Sequence, residues 1–305
     1  MFKTFPEFSK LTLADKKLYD TYAKKYPPIA DLSFASLMTW WNSFDSMALA
    51  ELNGNLVIPY WFPGNEAHSG LGLVGAHKVD ESICTIFDYL RARGEPVRLM
   101  NVPEFVVSNV QYPELFNFKE ERAYHEYVFD LANWYPPQDN NGFRARKIKR
   151  QLQKLGDGAT AVKAIDLRSE DNQKMLLDAA NRSWAANLNN VGRHEEETMI
   201  PLILHARALG VKNVCLFING KLRGFCLYQR PHDRSYIIIN VLKVLSKDLR
   251  SFELAGFLFA KWLAEHDSGV RQVNINSDMG VLPLRMFTLT LGPVNFFRKY
   301  RIEPA

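Results

Sequence analysis

Apolar residues recur along this chain in two rhythms, and the rhythms alternate. Thr12 to Tyr26, "TLADKKLYDTYAKKY", carries acids and bases at helical spacing behind a Thr cap and stops at Pro27. Ser33 opens a second, shorter helix holding Phe34, Leu37, Trp40 and Trp41. "SMALAEL" and "NLVIPYW" then flank Asn53-Gly54, the dipeptide of a tight hairpin. Asp80 is expected to cap a helix that runs to Arg93 and closes on Gly94, with "PVRLMNV" as the next strand. A short helix from Pro103 to Val110 and a strand from Tyr127 to Leu131 follow.

A Pro-rich polar stretch, "WYPPQDNNG" from Trp134 to Gly142, leads into a basic helix, and then the order of elements repeats. Ala161 to Ile165 reads as a strand, and Ser169 to Asn187 and Glu195 to Leu209 read as helices. "NVCLFI" and "LRGFCLYQ" flank Asn219-Gly220, a second hairpin. "SYIIINVLKV" is apolar on both faces for much of its length, which predicts a central strand. A helix from Asp248 to His266 and the strand "RQVNIN" come next. "VNFFRKYRI" is expected to be a last, edge strand protected by Arg298, Lys299 and Arg301. The pattern predicts an α/β chain of two related units, each a mixed sheet flanked by helices. The units span 1–135 and 160–305, with a linker and the basic helix at 136–159.

Composition narrows this picture. The 305 residues, 47% hydrophobic and 12% aromatic, describe a folded chain with a substantial core. No apolar run approaches the ~20 residues of a spanning helix, and "MFKTFPEFSK" lacks the features of a signal peptide. Cys84, Cys215 and Cys226 are too few and too scattered for a disulfide framework or a zinc site, and each reads as a small buried apolar residue. His194-Glu195 begins like a zincin motif, but Thr198 stands where the second His belongs. A soluble, reducing, cytoplasmic setting is expected.

The net charge is +5, and one segment carries it. Arg144, Arg146, Lys147, Lys149, Arg150 and Lys154 include no acid among them, and the rest of the chain is near neutral. Ile148, Leu152 and Leu155 share one face of that helix. It therefore packs by a stripe and shows cations to water, either as a plain solvated face or as a docking surface for a polyanion such as an RNA backbone or lipid head groups. Trp134 and Tyr135, just before it, read either as stacking aromatics or as a loop packed on the seam between units.

The stretch "NINSDMGVLPLRMFTLTLGP", Asn274 to Pro293, looks like a site. A polar cluster, Asn274, Asn276, Ser277 and Asp278, turns on Gly280, and Arg285 follows among apolar residues. The plain reading is a buried ion pair that fixes the turn.

Three stretches carry a resemblance to a family: "DLSFASLMTWW" (Asp31 to Trp41), "FRARKIKRQLQKL" (Phe143 to Leu155), and the stretch from Asn274 to Pro293. Together with the order of elements, they resemble the C-terminal catalytic domain of bacterial phosphatidylglycerol lysyltransferases, a tandem of two GNAT-like units. The third stretch matches the family's motif at Asn274, Asp278, Gly280, Leu284, Arg285 and Pro293. The resemblance implies an acyltransferase whose reaction site lies in the second unit. Asp278, Arg285 and Lys243 are its candidate catalytic residues, and Asn274, Asn276, Arg250 and Thr288 its candidate substrate contacts. Arg285 suits an oxyanion or a phosphate, and Asp278 suits orienting a nucleophile, accepting its proton, or holding Arg285.

The departures matter as much. Ile275, Asn276 and Ser277 replace the family's Arg-Glu-Glu, Met286 and Thr288 replace two lysines, and Leu242 replaces the Glu before Lys243. Acyl-CoA-dependent members of the fold cradle pyrophosphate with Arg-x-x-Gly-x-Gly/Ala. Here "RSFELA", Arg250 to Ala255, puts Glu253 at the first Gly, where a carboxylate repels phosphate. That favours aminoacyl-tRNA over acyl-CoA as donor, with the basic helix contacting phosphates and an anionic lipid head group among the acceptors. An acyl-CoA-dependent N-acyltransferase and a non-catalytic binding protein that kept the fold remain as alternatives.

Overall fold

The computed structural model describes residues 1–41, 44, 46–60, 69–134, 143–155, 160–184, 190–233, 235–245, 252–267 and 269–305, without the side chains of 143–145, 154–155, 182–184, 190–196 and 252–253. The first half runs β1 (Ser9–Lys10), α1 (Lys16–Ala23), α2 (Phe34–Thr39), β2 (Ala48–Leu52), β3 (Asn55–Tyr60), β4 (Gly70–Val74), α3 (Val79–Ala92), β5 (Leu99–Pro103), α4 (Glu104–Val107), β6 (Phe116–Glu120), β7 (Glu126–Asp130) and α5 (Leu131–Trp134). The second runs α6 (Phe143–Leu155), β8 (Thr160–Lys163), α7 (Glu170–Trp184), α8 (Asn190–Leu204), α9 (Ala206–Leu209), β9 (Val211–Ile218), β10 (Lys221–Gln229), β11 (Tyr236–Val244), α10 (Phe252–His266), β12 (Gln272–Ser277), α11 (Leu282–Thr290), β13 (Asn295–Phe297) and β14 (Lys299–Pro304).

Both hairpins form where the Asn-Gly pairs demand them. Asn53 and Gly54 have φ of 53° and 79°, and Asn219 and Gly220 have 53° and 72°, the left-handed pair of a type I′ turn. Ser33 caps α2 by accepting the Ser36 N–H at 3.2 Å. Asp80 does not cap α3. Lys78 holds that position with φ 46°, and the Asp80 carboxylate instead accepts the backbone N–H groups of Gln111 and Tyr112.

Two seven-stranded sheets result, ordered β1-β2-β3-β4-β5-β14-β6 and β13-β7-β12-β11-β10-β9-β8. β11 takes the central place that its two apolar faces require. The final segment is not one edge strand. It splits at Arg298: β13 pairs with β7 in the second sheet, and β14 runs between β5 and β6 in the first. β7, from the first half, sits in the second sheet between β12 and β13. The sheets thus trade strands, which ties the halves together at their seam.

Lys299, expected on a protected edge, is fully buried at that seam. Its ammonium donates to Asp31 at 2.6 Å and to Glu126 at 2.9 Å. Glu126 also accepts the N–H groups of Ala30 and Asp31 and the amide of Asn274. A buried charge persists only when it is paired and hydrogen-bonded in this way.

The hydrophobic core also crosses the halves, since Tyr19, Phe34 and Leu37 belong to one buried cluster with Leu176, Phe225 and Val241. Trp134 is buried as well, packed at 5.6 Å on Phe129, so it offers no face for stacking, while Tyr135 lies outside the described residues. Cys215 and Cys226 are buried and Cys84 is exposed. Among the described residues, no helix is long and apolar enough to cross a membrane, and no cluster of metal-ligating side chains is found.

Candidate active site

β11 and β12 run parallel and pair from Tyr236 to Ile238 against Gln272 to Asn274, and there the pairing ends. Two local features drive the strands apart. On β11 the register against β10 slips between Leu227 and Tyr228, leaving Asn240 as an extra residue opposite no partner. On β12 the chain kinks at Asn276, whose φ is 65°, and its side-chain amide donates to the Ile239 carbonyl at 2.6 Å. Asn tolerates that left-handed backbone where most residues do not.

The separation opens a cavity of about 260 Å³. Asn240, Asn276, Ser277 and Asp278 line it from the sheet. Asp31, Ser36 and Thr39 line it from the N-terminal half, and Thr198 from α8.

Asp278 is 1% exposed and its carboxylate is saturated. Arg285 Nε and Nη2 donate to it at 2.9 Å each, the Gly280 N–H at 2.8 Å and Arg122 Nη1 at 3.3 Å, and the Tyr127 hydroxyl adds a further, short hydrogen bond. Burial pushes the carboxyl pKa up, but the hydrogen bonds from Arg285, Tyr127 and Gly280 outweigh it, so the net shift is downward. An acid so held is a poor proton acceptor. It fixes the turn at Gly280, the start of α11 and two guanidinium groups.

Asp31 is the opposite case. Its Oδ2 accepts from Lys299 and, at 3.4 Å, from Asn101, while Oδ1 has no hydrogen-bond donor among the described residues. Burial and the nearby Glu126 carboxylate outweigh the pull of Lys299 and push its pKa up to about 6.

The residues named from sequence therefore separate. Asp278 and Asn276 line the cavity. Arg285 reaches Asp278 from α11 with its side chain 27% exposed. Asn274 is fully buried, with its amide on Glu126 and the Pro28 carbonyl, and Thr288 is buried on α11. Lys243, on β11, lies opposite Phe225 of β10 and, among the described residues, is not part of the cavity wall. On α6, Ile148 is buried and Arg146, Lys149 and Arg150 are exposed, with Lys147 half-buried. Arg250 and the side chains of Arg144, Lys154 and Glu253 lie outside the described residues.

Sequence reading missed Asp31, Asn240, Arg122, Tyr127 and the Glu126–Lys299 pair. The available signals were the lone acid in "IADLSF", the Asn in the otherwise apolar run of β11, and the lysine between aromatic neighbours in "FFRKYR". On α11, Leu282, Met286 and Leu289 are 62%, 58% and 41% exposed and share one face beside Arg285, while Leu284 lines the cavity.

No protein-family model matches the chain, and no curated protein does. Solved structures match over nearly the full length. A conserved protein of unknown function from Bacteroides thetaiotaomicron VPI-5482 has a TM-score of 0.79 at 20% identity, covering 98% of this chain and 99% of that one. The C-terminal domain (DUF2156) of a putative lysylphosphatidylglycerol synthetase from Agrobacterium fabrum has 0.60 at 11%, covering 95% and 92%. A tandem GNAT protein from the clavulanic acid biosynthesis pathway has 0.51 at 13%, covering 98% of both chains. The chain has the tandem GNAT fold. L-PGS from Bacillus licheniformis also shares it, with a TM-score of 0.56 at 13% identity, covering 95% of this chain and 91% of that one.

Proposed function

We propose that this chain is an acyltransferase that moves an aminoacyl group from aminoacyl-tRNA to an amine or hydroxyl acceptor in the cavity between β11 and β12. The observation that carries the proposal is the cavity itself: strands held apart by a bulge and a left-handed Asn, with a saturated acid on one wall and, on the other, a carboxylate oxygen that no donor among the described residues reaches.

In this reading the acceptor nitrogen or oxygen attacks the ester carbonyl carbon, and the ester bond to the tRNA ribose breaks. The acceptor proton passes to Asp31 Oδ1, whose raised pKa brings it closer to neutral pH than an ordinary carboxylate. Asp31 then gives that proton to the leaving ribose oxygen, which departs as the free hydroxyl of the tRNA. Asn240 and Asn276 each give one amide N–H to Gln229 and Ile239, and in this reading the second N–H of each donates where negative charge grows. Asp278 is a positioning residue. It keeps Arg285 and Arg122 as partly exposed positive charge beside the cavity, suited to a donor phosphate or an anionic head group. The exposed apolar row on α11 suits an acceptor held at a lipid surface. Glu253 in place of the cradle glycine and the exposed cations of α6 support tRNA over acyl-CoA.

The test offers the purified chain aminoacyl-tRNA labelled in its amino acid, or labelled acetyl-CoA, together with vesicles containing anionic lipid. Transfer from tRNA that falls at least a hundredfold in Asp31→Asn is expected. Transfer from acetyl-CoA alone, or from neither donor, overturns the proposal.

A further inference from the structure

A second cavity, of about 540 Å³, lies on the other side of the segment that carries Asp31. Pro27, Ile29, Leu32 and Phe34 face it, whereas Asp31 and Ser36 face the cavity described above. α1 forms one wall, and the ends of β9, β10 and β11 form another.

Its chemistry is divided. The floor is apolar and closed: Phe34, Leu56, Val74 and Ile238 are each 2% exposed or less. Around the opening stand Lys16, Lys24, Lys212 and Arg230, joined by His232. Asp20 is the acid on the wall, and it pairs with Lys16 at 2.6 Å. Lys212 and Arg230 share one further acid, Asp267. Among the described residues the four lysine and arginine side chains thus face two carboxylates, Asp20 and Asp267, which leaves a surplus of two positive charges. The Lys16 side chain passes over Gly210, where the missing side chain leaves it room. Gly210 has φ 73°, and a Cβ there would lie 3.1 Å from Lys16 Cε.

We propose that this cavity binds a phosphate monoester carrying an apolar group, with the phosphate at the lysines and the apolar part on the floor. A closed apolar floor under a cationic rim complements an amphiphile rather than a bare anion. The surplus of two charges matches a phosphate monoester near its dianionic form. Gln229 lies between the two cavities. It lines this one, and its Oε1 accepts from Asn240 of the other at 3.3 Å. A ligand here is therefore read by a group that touches the reaction cavity, although the binding site does not depend on the reaction assigned there.

The experiment is calorimetric titration of the full chain with phenyl phosphate, octyl phosphate, inorganic phosphate and benzyl alcohol. One of the two esters is expected to bind saturably, at least tenfold tighter than inorganic phosphate or benzyl alcohol. Which ester it is tells a ring from a chain. The variant Lys24→Glu/Lys212→Gln changes exposed side chains and leaves Asp267 paired with Arg230, so it is expected to keep a Tm close to wild type while losing at least tenfold in affinity for that ester. Three results overturn the proposal: no saturable binding of either ester, equal binding of inorganic phosphate, or unchanged affinity in the variant.

Discussion

The two sheets meet the same topological event differently. In each, two neighbouring strands run parallel, pair briefly and part: β4 with β5 at Leu71 and Leu99, and β11 with β12 up to Asn274. Each second strand bends through a left-handed Asn, Asn101 at φ 53° and Asn276 at 65°. In the first sheet, side chains cover the parting. Glycines on β4 let them lie flat, since a Cβ on Gly72 would meet the Tyr60 ring at 2.3 Å and one on Gly70 would meet Met100 at 2.9 Å. In the second sheet the parting stays open as the 260 Å³ cavity. Asn101 has become structural, donating to Asp31, and so helps shape a wall of the other sheet's cavity. One splay supports and the other is free to bind, a division that a duplicated fold permits.

The contact between the two regions is the place to break this arrangement hardest. Lys299→Met leaves Asp31 and Glu126 buried without their cation, and removing one partner of such a group costs roughly 3–5 kcal/mol. Urea denaturation is expected to show that loss, and to show it larger at pH 7 than at pH 5. Asp31 has its folded pKa raised from 3.8 to about 6. The native state therefore holds the proton more tightly than the unfolded chain, and this group's contribution to stability is full below 3.8 and declines as pH rises through about 6. Protonation at pH 5 relieves the uncompensated charge. A loss that does not depend on pH in this window would show that Asp31 is not the group left stranded.

Asp278→Asn comes next. It removes the charge that two guanidinium groups share, but both are partly exposed at 35% and 27%, so solvent softens the loss to about 2 kcal/mol. The sign of its pH dependence is opposite to that of Asp31. A carboxylate whose folded pKa is lowered contributes above its ordinary value and loses that contribution as pH falls through the folded one. Wild type and variant should therefore converge in acid, which the same denaturation series measures. Gly72→Ala then tests the plugged splay. The added methyl meets the Tyr60 ring and the Met100 carbonyl, and overpacking of this kind costs about 1–3 kcal/mol without touching the open cavity.

How much of this was legible depends on which physics wrote it. Local signals read well: both Asn-Gly hairpins, the Ser33 cap and the central place of β11 followed from turn chemistry and hydrophobic pattern. The strand exchange was not legible. Nothing in "VNFFRKYRI" says that its two ends belong to different sheets, because strand pairing is decided by contacts more than 150 residues apart, such as Lys299 with Glu126. Asp278 and Arg285 stood out as charges in an apolar setting, and the structure pairs them. Asp31 did not stand out, because its importance comes from a lysine at the far end of the chain and from a cavity belonging to the other half.

The smallest effect on stability separates fold from function most sharply. Ile148 holds α6 to the second core, and Arg146, Lys149 and Arg150 face water. Reversing Lys149 and Arg150 to Glu leaves that apolar contact intact, so stability should stay within about 0.5 kcal/mol of wild type. If α6 lies on a tRNA phosphate backbone, the same change weakens binding of deacylated tRNA and flattens its dependence on salt, since each lost phosphate contact removes about one released counterion. A pure surface helix would leave affinity and salt slope unchanged. The basic helix would then serve solubility alone, and recognition of the donor would have to come from the partly exposed arginines beside the second splay.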